Sequence, residues 1–348
     1  MAQTPALLTE QQCSYCKTKS DDKLSLCTGC RVVRYCSKEH QATHWPTHKS
    51  QCIPVKRARV LMEKEETKLR NFPGDWTTPA NPFNEPGHFW GWLETRDFMR
   101  AKSGYIHTIR EIRTREAITI AHAETMDVFR LNRSDNMGMR GSAPSLMMRL
   151  GKDQEAYDFI KWYATADPDG HYDWGDMALP FLNLRGENVF ESVGVLKVSE
   201  YSLEFSHTVA LTLIKLRLLL DLHSLKRSST IADKLPQELL DRIREELVSD
   251  VVAVHQEILE EVRNGVDISP RIREVEGQVN TLFNTVKKAN SHFWPAMAKP
   301  GRNLTAQPEY YSRGTVEEMQ VYLQANYAAW EETPGAIAWV KERLSRRA

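Results

Sequence analysis

Cysteine is absent from most of this chain of 348 residues. All six cysteines fall between Cys13 and Cys52, and none follows. The chain also lacks a net charge, because 46 basic residues balance 46 acidic residues. A neutral protein has no general field that attracts nucleic acid or anionic membranes, so the charge balance argues against DNA binding.

The sequence also lacks the patterns that are typical of a signal peptide and of a membrane-spanning helix. Residues 1–10 contain neither a basic start nor an apolar stretch of signal-peptide length. The most apolar run, residues 209–222, is too short to cross a bilayer and is interrupted by Lys215, Arg217 and Asp221. We therefore expect an intracellular protein of the cytoplasm or nucleus, where thiols stay reduced.

The clustering of all six cysteines in residues 13–52 indicates a local structural role for them. A disulfide framework is typical of small secreted domains and does not suit a reducing compartment. Two Cys-x-x-Cys pairs, Cys13 with Cys16 and Cys27 with Cys30, each allow a tight turn to direct two thiolates at one ion. One such pair also fits a redox motif, but two pairs favour zinc.

Further candidate ligands recur at every fourth residue after the second pair: Cys36, His40, His44, His48 and Cys52. On one continuous helix Cys36 and Cys52 would lie about 160° apart around the axis and about 24 Å along it, too far to share an ion. Pro46 is expected to break this helix. The spacing predicts two zinc sites, each with three cysteines and one histidine, and leaves open which Cys-x-x-Cys pair joins which helical pair.

Residues 13–52 resemble the MYND zinc finger. The resemblance rests on the spacing Cys-x2-Cys-x10-Cys-x2-Cys and on the residues Tyr35-Cys36-Ser37, His40-Gln41, Trp45, His48-Lys49 and Cys52. It implies an interleaved cross-brace, with Cys13, Cys16, Cys36 and His40 on one zinc ion and Cys27, Cys30, His48 and Cys52 on the other. Most members of the family have cysteine at the position of His40, so His44 stays open as a competing ligand.

The resemblance also implies two structural zinc ions and a protein-interaction function. Four protein ligands on each ion leave no open position for water, which catalytic zinc needs. Several MYND fingers bind proline-containing peptides, and Gln41 and Trp45 occupy the matching positions. The alternative is that Trp45 packs between the zinc loops and that Gln41 is a solvated helix residue.

We predict four segments: an N-terminal tail (1–12), the finger (13–52), a basic segment with a proline-rich linker (53–90) and an all-helical domain (91–348). The linker prediction rests on residues 71–90, where proline and glycine disfavour regular structure. The aromatic residues of this linker are expected to lie against the larger domain.

The fold class is mainly α, because apolar residues after the linker recur at steps of three or four. Two such stripes run from Leu240 to Val262 and from Ile272 to Val286, and both are expected to face a core. Residues 202–222 are expected to form the most buried helix. Residues 116–163 resemble a helical hairpin of tetratricopeptide type, which predicts repeat-like packing, although three repeats are not present.

One loop outside the finger, residues 166–176, combines four aspartates with His171. An EF-hand loop that began at Asp167 would place Ala178 where glutamate is required. Aspartate and glycine also favour turns for local reasons. We expect turns here and keep a metal or catalytic role for His171 and Asp173 as the alternative.

The preferred function is a zinc-binding adaptor, regulatory in character, whose finger recognises partner proteins. An enzyme is the first alternative, because MYND fingers also occur in SET-domain methyltransferases. No Asn-His-Ser-Cys-like cofactor motif and no other catalytic motif is present in the sequence. A DNA-binding regulator is the second alternative and would require a recognition helix rich in basic and base-reading residues.

Overall fold

The computed structural model describes residues 12–19, 24–167, 171–196, 204–229 and 247–346. These residues form twelve α-helices and one two-stranded sheet, which confirms the mainly α fold. The chain divides into two compact units. We call Leu8–Leu146 together with Asp173–Phe181 the finger unit, and the remainder of the chain the second unit.

The finger unit begins with a short hairpin. Strand β1 (Ser25–Leu26) pairs antiparallel with β2 (Arg34–Tyr35), and Ser25 lies opposite Tyr35. Helix α1 (Lys38–Arg70) follows at once, and the Ser37 side chain caps it by accepting a hydrogen bond from the backbone N–H of His40. One face of α1 is buried, and the helix packs on α2 (Arg96–Ile109).

Helix α1 does not end at proline. The predicted break at Pro46 is wrong, because the helix continues through both Pro46 and Pro54. Each proline removes one backbone donor, which leaves the carbonyls of Ala42 and Ser50 without their helical partners. All four residues are exposed, so water can satisfy these carbonyls, and burial of the opposite face holds the helix together. The predicted segment boundary at residue 52 therefore falls inside a helix.

The proline-rich linker packs on the finger unit through its phenylalanines. It contains the short 3₁₀ helix Pro82–Asn84, and two more 3₁₀ helices, Phe89–Gly91 and Leu93–Thr95, follow at its end and just after it. The rings of Phe83 and Phe89 contact Phe98 of α2, with ring centroids 5.2 and 6.4 Å away. Helix α3 (Arg115–Leu131) follows α2, packs against it and starts at the Thr114 cap.

The second unit is built around one apolar helix. Helix α4 (Ala143–Arg149) crosses the boundary between the units at residue 147. The helices after it are α5 (Asp153–Thr165), α6 (Phe205–Ser229), α7 (Asp250–Val254), α8 (Gln256–Arg263), α9 (Ser269–Ala289), α10 (Phe293–Ala298), α11 (Val316–Glu331) and α12 (Ala336–Ser345). Helix α6 is buried on nearly all sides from Phe205 to Leu222, as predicted, and α9 packs along it, while Ser202 and Leu203 lie outside the described residues.

Helix α6 also buries charge. Arg217 is fully buried and donates hydrogen bonds to the Asp153 carboxylate at 2.6 Å and to the Thr333 hydroxyl. A second buried pair joins Arg149 to Glu332 at 2.8 Å. Each charge is paired with an opposite charge in the interior, so loss of one partner would leave the other uncompensated.

The two predicted apolar stripes have different outcomes. The stripe from Ile272 to Val286 is buried along α9, as predicted. The stripe from Leu240 to Val262 fails in part, because His255 is extended and separates α7 from α8, and Val254 is 70% exposed. Leu240 and Ile243 lie outside the described residues.

The predicted hairpin over residues 116–163 is divided between the two units. Helix α3 packs on α2 within the finger unit, whereas α5 packs on α6 within the second unit. Repeat-like packing therefore stays a prediction. Among the described residues, no helix is long and apolar enough to cross a membrane.

Candidate metal centre

The two Cys-x-x-Cys pairs form matching turns. The backbone N–H of Lys17 donates to the carbonyl of Cys13, and that of Arg31 donates to the carbonyl of Cys27, both at 2.9 Å. Lys17 and Arg31 adopt left-handed backbone angles, with φ of 61° and 63°. Each turn places two sulfur atoms side by side, which is the arrangement that a zinc knuckle needs.

The remaining four candidate ligands come from α1 and the residues just before it. Cys36 precedes the capping residue Ser37, and His40 lies in the first turn. His48 and Cys52 follow on the buried face of α1. One capped helix thus supplies a histidine to one knuckle and a histidine with a cysteine to the other.

The eight side chains lie in two separate groups. Site 1 consists of Cys13, Cys16, Cys36 and His40, and site 2 consists of Cys27, Cys30, His48 and Cys52. Within each group all ligand atoms lie within 4.8 Å of one another. This is the interleaved arrangement that the family resemblance implied and that spacing alone left open.

The sulfur–sulfur distances and the S–N distance of site 2 fit tetrahedral zinc, whereas in site 1 Cys36 Sγ lies only 2.9 Å from His40 Nδ1. With Zn–S bonds of about 2.3 Å and Zn–N bonds of about 2.0 Å, a tetrahedron has S–S edges of about 3.8 Å and S–N edges of about 3.5 Å. The sulfur atoms of Cys16 and Cys36 are 3.7 Å apart, as are those of Cys27 and Cys52. In site 2, Cys30 Sγ lies 3.5 Å from His48 Nε2. The donor set therefore suits two structural zinc ions.

The electrostatics of the thiols also favour a cation. Burial raises the pKa of Cys13, but the backbone N–H groups of Cys16 and Cys36 outweigh it and lower the pKa to about 6. Burial raises the pKa of Cys30 to about 12, with a contribution from the neighbouring charges of Cys27 and Cys52. Three thiolates in one site repel one another, and a divalent ion at their centre removes this repulsion.

The two sites differ in their exposure to solvent. All four residues of site 2 are buried. In site 1, Cys16 and Cys36 are exposed and His40 is half-buried, so only Cys13 is fully enclosed. The two ions therefore have unequal access to water and to competing ligands.

His44, the competing ligand, has a different partner. Its Nδ1 atom lies 2.8 Å from the Tyr35 hydroxyl, and its ring stacks on His48 with centroids 5.7 Å apart. It belongs to neither group of metal-ligating atoms. The structure thus places His40 in site 1 and gives His44 a supporting contact beside site 2.

Several residues that support the finger were not identified from the sequence. A Cβ atom on Gly29 would lie 2.6 Å from Cys52 Sγ, so only glycine fits between the ligands of site 2. Arg59 of α1 donates to the carbonyl of Gly29 at 3.2 Å, and Thr114 donates to the carbonyl of Val32 at 2.6 Å. These contacts fasten the second knuckle to α1 and to the start of α3. The glycine between Cys27 and Cys30 was the available sequence signal.

Gln41 and Trp45 both lie beside site 2. The Gln41 amide donates to Cys27 Sγ at 3.8 Å, and the Trp45 and His48 rings meet edge to face with centroids 6.1 Å apart. Trp45 is nevertheless 41% exposed. Their role in peptide binding stays a prediction.

The aspartate-rich loop forms local turns. Asp167 accepts a hydrogen bond from the backbone N–H of Tyr172, and Asp173 accepts one from Gly175, both at 2.9 Å. His171 is exposed. Within the described ranges, this loop contributes to no group of metal-ligating side chains, and Asp169 lies outside those ranges.

The geometry defines a cross-braced finger with two zinc sites, which is held to α1 and to the start of α3 within the finger unit. A family model described as the MYND finger matches residues 13–52. These residues are therefore a MYND finger, a zinc-binding module of protein interaction, and the resemblance seen in the sequence is confirmed.

The relatives share little more than the finger. Rho GTPase-activating protein gacZ of Dictyostelium discoideum is 41% identical over 62 residues, which cover 18% of this chain and 6% of that protein. A hypoxia-inducible factor prolyl hydroxylase of Caenorhabditis elegans is 48% identical over 42 residues, 12% of this chain and 6% of that protein. The chain thus spans a small fraction of the curated relatives it matches. No solved structure matches it.

Proposed function

We propose that this protein is an adaptor whose MYND finger binds partner proteins through proline-containing segments. The observation that carries the proposal is the closure of both metal sites: four protein ligands in each leave no position for water or substrate. The zinc ions then shape a surface, and that surface supplies the function. The relatives with enzyme names share only the finger region, so we propose no catalytic activity for this chain.

The surface beside site 2 has the features that a proline-containing segment needs. Trp45 offers an exposed indole that its contact with the zinc ligand His48 holds in place. Stiff proline-rich segments commonly bind such aromatic rings, because little conformational entropy is lost. Gln41 lies one turn before Trp45, and its donor group is engaged with Cys27, which leaves the amide oxygen to accept a peptide N–H.

The hairpin supplies a second element of the proposed groove. Both residues of β1 are exposed, and in the described part of the chain β1 pairs with β2 alone. Cys27, which follows β1, contacts Gln41 and so brings the strand beside this face of α1. An extended segment bound between β1 and α1 could add main-chain hydrogen bonds to the free edge of the strand.

The experiment measures binding of a ten-residue polyproline peptide to the full chain by calorimetry, with a glycine-serine peptide of equal length as the ligand control. We expect the polyproline peptide to bind and the glycine-serine peptide not to bind. The double variant Gln41→Ala/Trp45→Ala should bind the polyproline peptide at least tenfold more weakly. Lys287→Ala, a substitution of an exposed residue of the second unit, should change nothing. Equal affinity of the double variant and the unaltered chain, with two zinc ions retained, would contradict the proposal.

A further inference from the structure

The outward face of α1 forms a surface that continues from Trp45 well past the end of the finger. On a helix with 100° per residue, Trp45, Lys49, Ile53, Lys56 and Val60 lie within an arc of about 80°. All five are exposed, whereas the buried residues of α1 lie on the neighbouring face, centred about 110° away around the helix axis. We call these five residues, together with the adjacent Arg57 and Leu61, the α1 stripe.

The α1 stripe mixes apolar and basic side chains. Ile53, Val60 and Leu61 expose 40 to 49% of their surface, and together with Trp45 they line one side of the same helix. Lys49, Lys56 and Arg57 supply positive charge, and no ion pair of theirs occurs among the described residues. A helix face of this composition fits a partner that is both apolar and acidic.

The charge along α1 is one-sided where the stripe runs. Residues 40–62 contain no aspartate or glutamate, although the whole chain is neutral. The acidic residue that follows, Glu63, already pairs with Arg59 at 2.7 Å. The positive field of the stripe is therefore not neutralised by carboxylates of its own helix.

We propose that the α1 stripe binds an acidic, apolar segment that follows the proline-containing segment of the same partner protein. This inference rests on the proposed function and specifies the partner further. Trp45 and Val60 are about 22 Å apart along the helix axis, at 1.5 Å per residue. An extended chain covers this distance with about seven residues.

A partner protein fits the stripe better than a phosphate backbone does. Nucleic acid contacts come mainly from Arg, Lys and polar groups to phosphate, and they gain little from exposed Ile, Val and Leu. Here apolar side chains alternate with basic ones along the stripe. An amphipathic acidic segment satisfies both, because its carboxylates meet the cations and its apolar residues cover Ile53 and Val60.

The test uses the full chain and three peptides in one binding assay. The first is the ten-residue polyproline peptide, the second adds the seven-residue tail Glu-Glu-Leu-Leu-Glu-Glu-Leu, which places both glutamate and leucine on each face of an extended chain, and the third replaces each glutamate of the tail with glutamine. We expect the acidic tail to tighten binding about tenfold over the glutamine tail, since three exposed charge contacts each contribute modestly. The advantage should shrink as salt is raised.

Reversing the charges of Lys56 and Arg57 tests whether the acidic tail binds to the α1 stripe. Lys56→Glu/Arg57→Glu should abolish the advantage of the acidic tail while leaving binding of the plain polyproline peptide unchanged. Arg273→Glu/Lys287→Glu makes the same charge change at exposed positions of α9 and should retain the full advantage. Ile53→Ser/Val60→Ser should weaken binding of both tailed peptides at every salt concentration.

The outcomes separate the two proposals. If the polyproline peptide binds and the acidic tail adds nothing, the inference is overturned and the proposed function stands. If the acidic tail binds through Lys56 and Arg57 without any contribution from proline, the inference stands and proline recognition is wrong. If neither binds, both fail. If duplex DNA or phosphatidylserine vesicles depend on Lys56 and Arg57 while the acidic tail does not, the stripe serves another class of partner and the inference is overturned.

Discussion

Gly29 lies where a ligand from α1 meets the second knuckle. A Cβ atom at this position would lie 2.6 Å from Cys52 Sγ, a distance that no relaxed structure tolerates. We expect Gly29→Ala to displace Cys52 and to empty site 2, so that the zinc content falls from about two ions per chain towards one. Atomic absorption on the purified protein measures this content.

The matched control for Gly29 is Gly277 on α9, where an added Cβ meets no atom within 4 Å. Gly277→Ala should retain the full zinc content and stabilise the second unit by about 0.5 to 1 kcal/mol, because alanine is the better helix former. A Gly29→Ala protein with the full zinc content would show that the knuckle can move aside.

His40 and His44 provide a second comparison at the residue scale. The structure places His40 Nδ1 in site 1, 3.8 Å from Cys13 Sγ, whereas His44 contacts the Tyr35 hydroxyl. We expect His40→Ala to lower the zinc content towards one ion per chain. His44→Ala should keep both ions and cost about 1 kcal/mol for the lost hydrogen bond.

His40→Cys completes this series, because cysteine is the usual residue of the family at this position. It should keep both zinc ions, which chemical titration of released zinc would show. The opposite pattern, with zinc lost in His44→Ala and retained in His40→Ala, would mean that the wrong histidine has been assigned to site 1.

At the residue scale the sequence identified the groups that carry the chemistry, and not the residues that support them. Six cysteines and two histidines at knuckle and helical spacing are visible without a structure. Gly29 was missed because its importance depends on Cys52, a residue distant in sequence. Arg59 was missed for the same reason, since its contact with Gly29 exists only after α1 packs on the hairpin.

At the scale of elements, unequal exposure of the two sites predicts unequal loss of zinc. Cys16 and Cys36 of site 1 are exposed to solvent, whereas every ligand of site 2 is buried. A chelator must reach the metal or a thiolate to exchange it, so site 1 should release zinc first. We expect two phases of similar amplitude when a colorimetric chelator is mixed with the protein.

Single substitutions assign these two phases. Cys36→Ser should remove the fast phase, and Cys52→Ser should remove the slow one. A single phase that carries both ions would indicate that loss of one ion opens the other site, as expected if the cross-brace unfolds as a whole.

Elements defined by regular patterns were predicted well, and their ends were not. Apolar periodicity identified α6 and α9 because their burial follows directly from their sequence. Pro46 led to a wrong prediction for the end of α1. The helix continues because one of its faces is buried and the carbonyls freed by the prolines are exposed to water, and these effects outweigh the local preference of proline to end a helix. Apolar periodicity predicted one continuous stripe from Leu240 to Val262, but the extended backbone at His255 interrupts it. The spacing of apolar side chains carries no information about where a helix is broken.

At the scale of the whole molecule, both zinc sites belong to the finger unit. Structural zinc contributes about 10 to 16 kcal/mol per site, as much as the entire stability of a typical domain. Helix α1 carries His40, His48 and Cys52 and also packs on α2, so removal of zinc should destabilise the finger unit beyond residue 52. We expect excess EDTA to eliminate one calorimetric transition and to leave a second one in place.

A substitution in the second unit tests the other calorimetric transition. Arg217→Met leaves the Asp153 carboxylate buried without its partner, which should cost about 3 to 5 kcal/mol. The second transition should then move to lower temperature while the zinc-dependent transition stays fixed, and hydrogen exchange should locate each effect in its own unit. If EDTA and Arg217→Met each shifted both transitions together, the two units would unfold cooperatively, and partner binding at the finger would then stabilise the helical core as well.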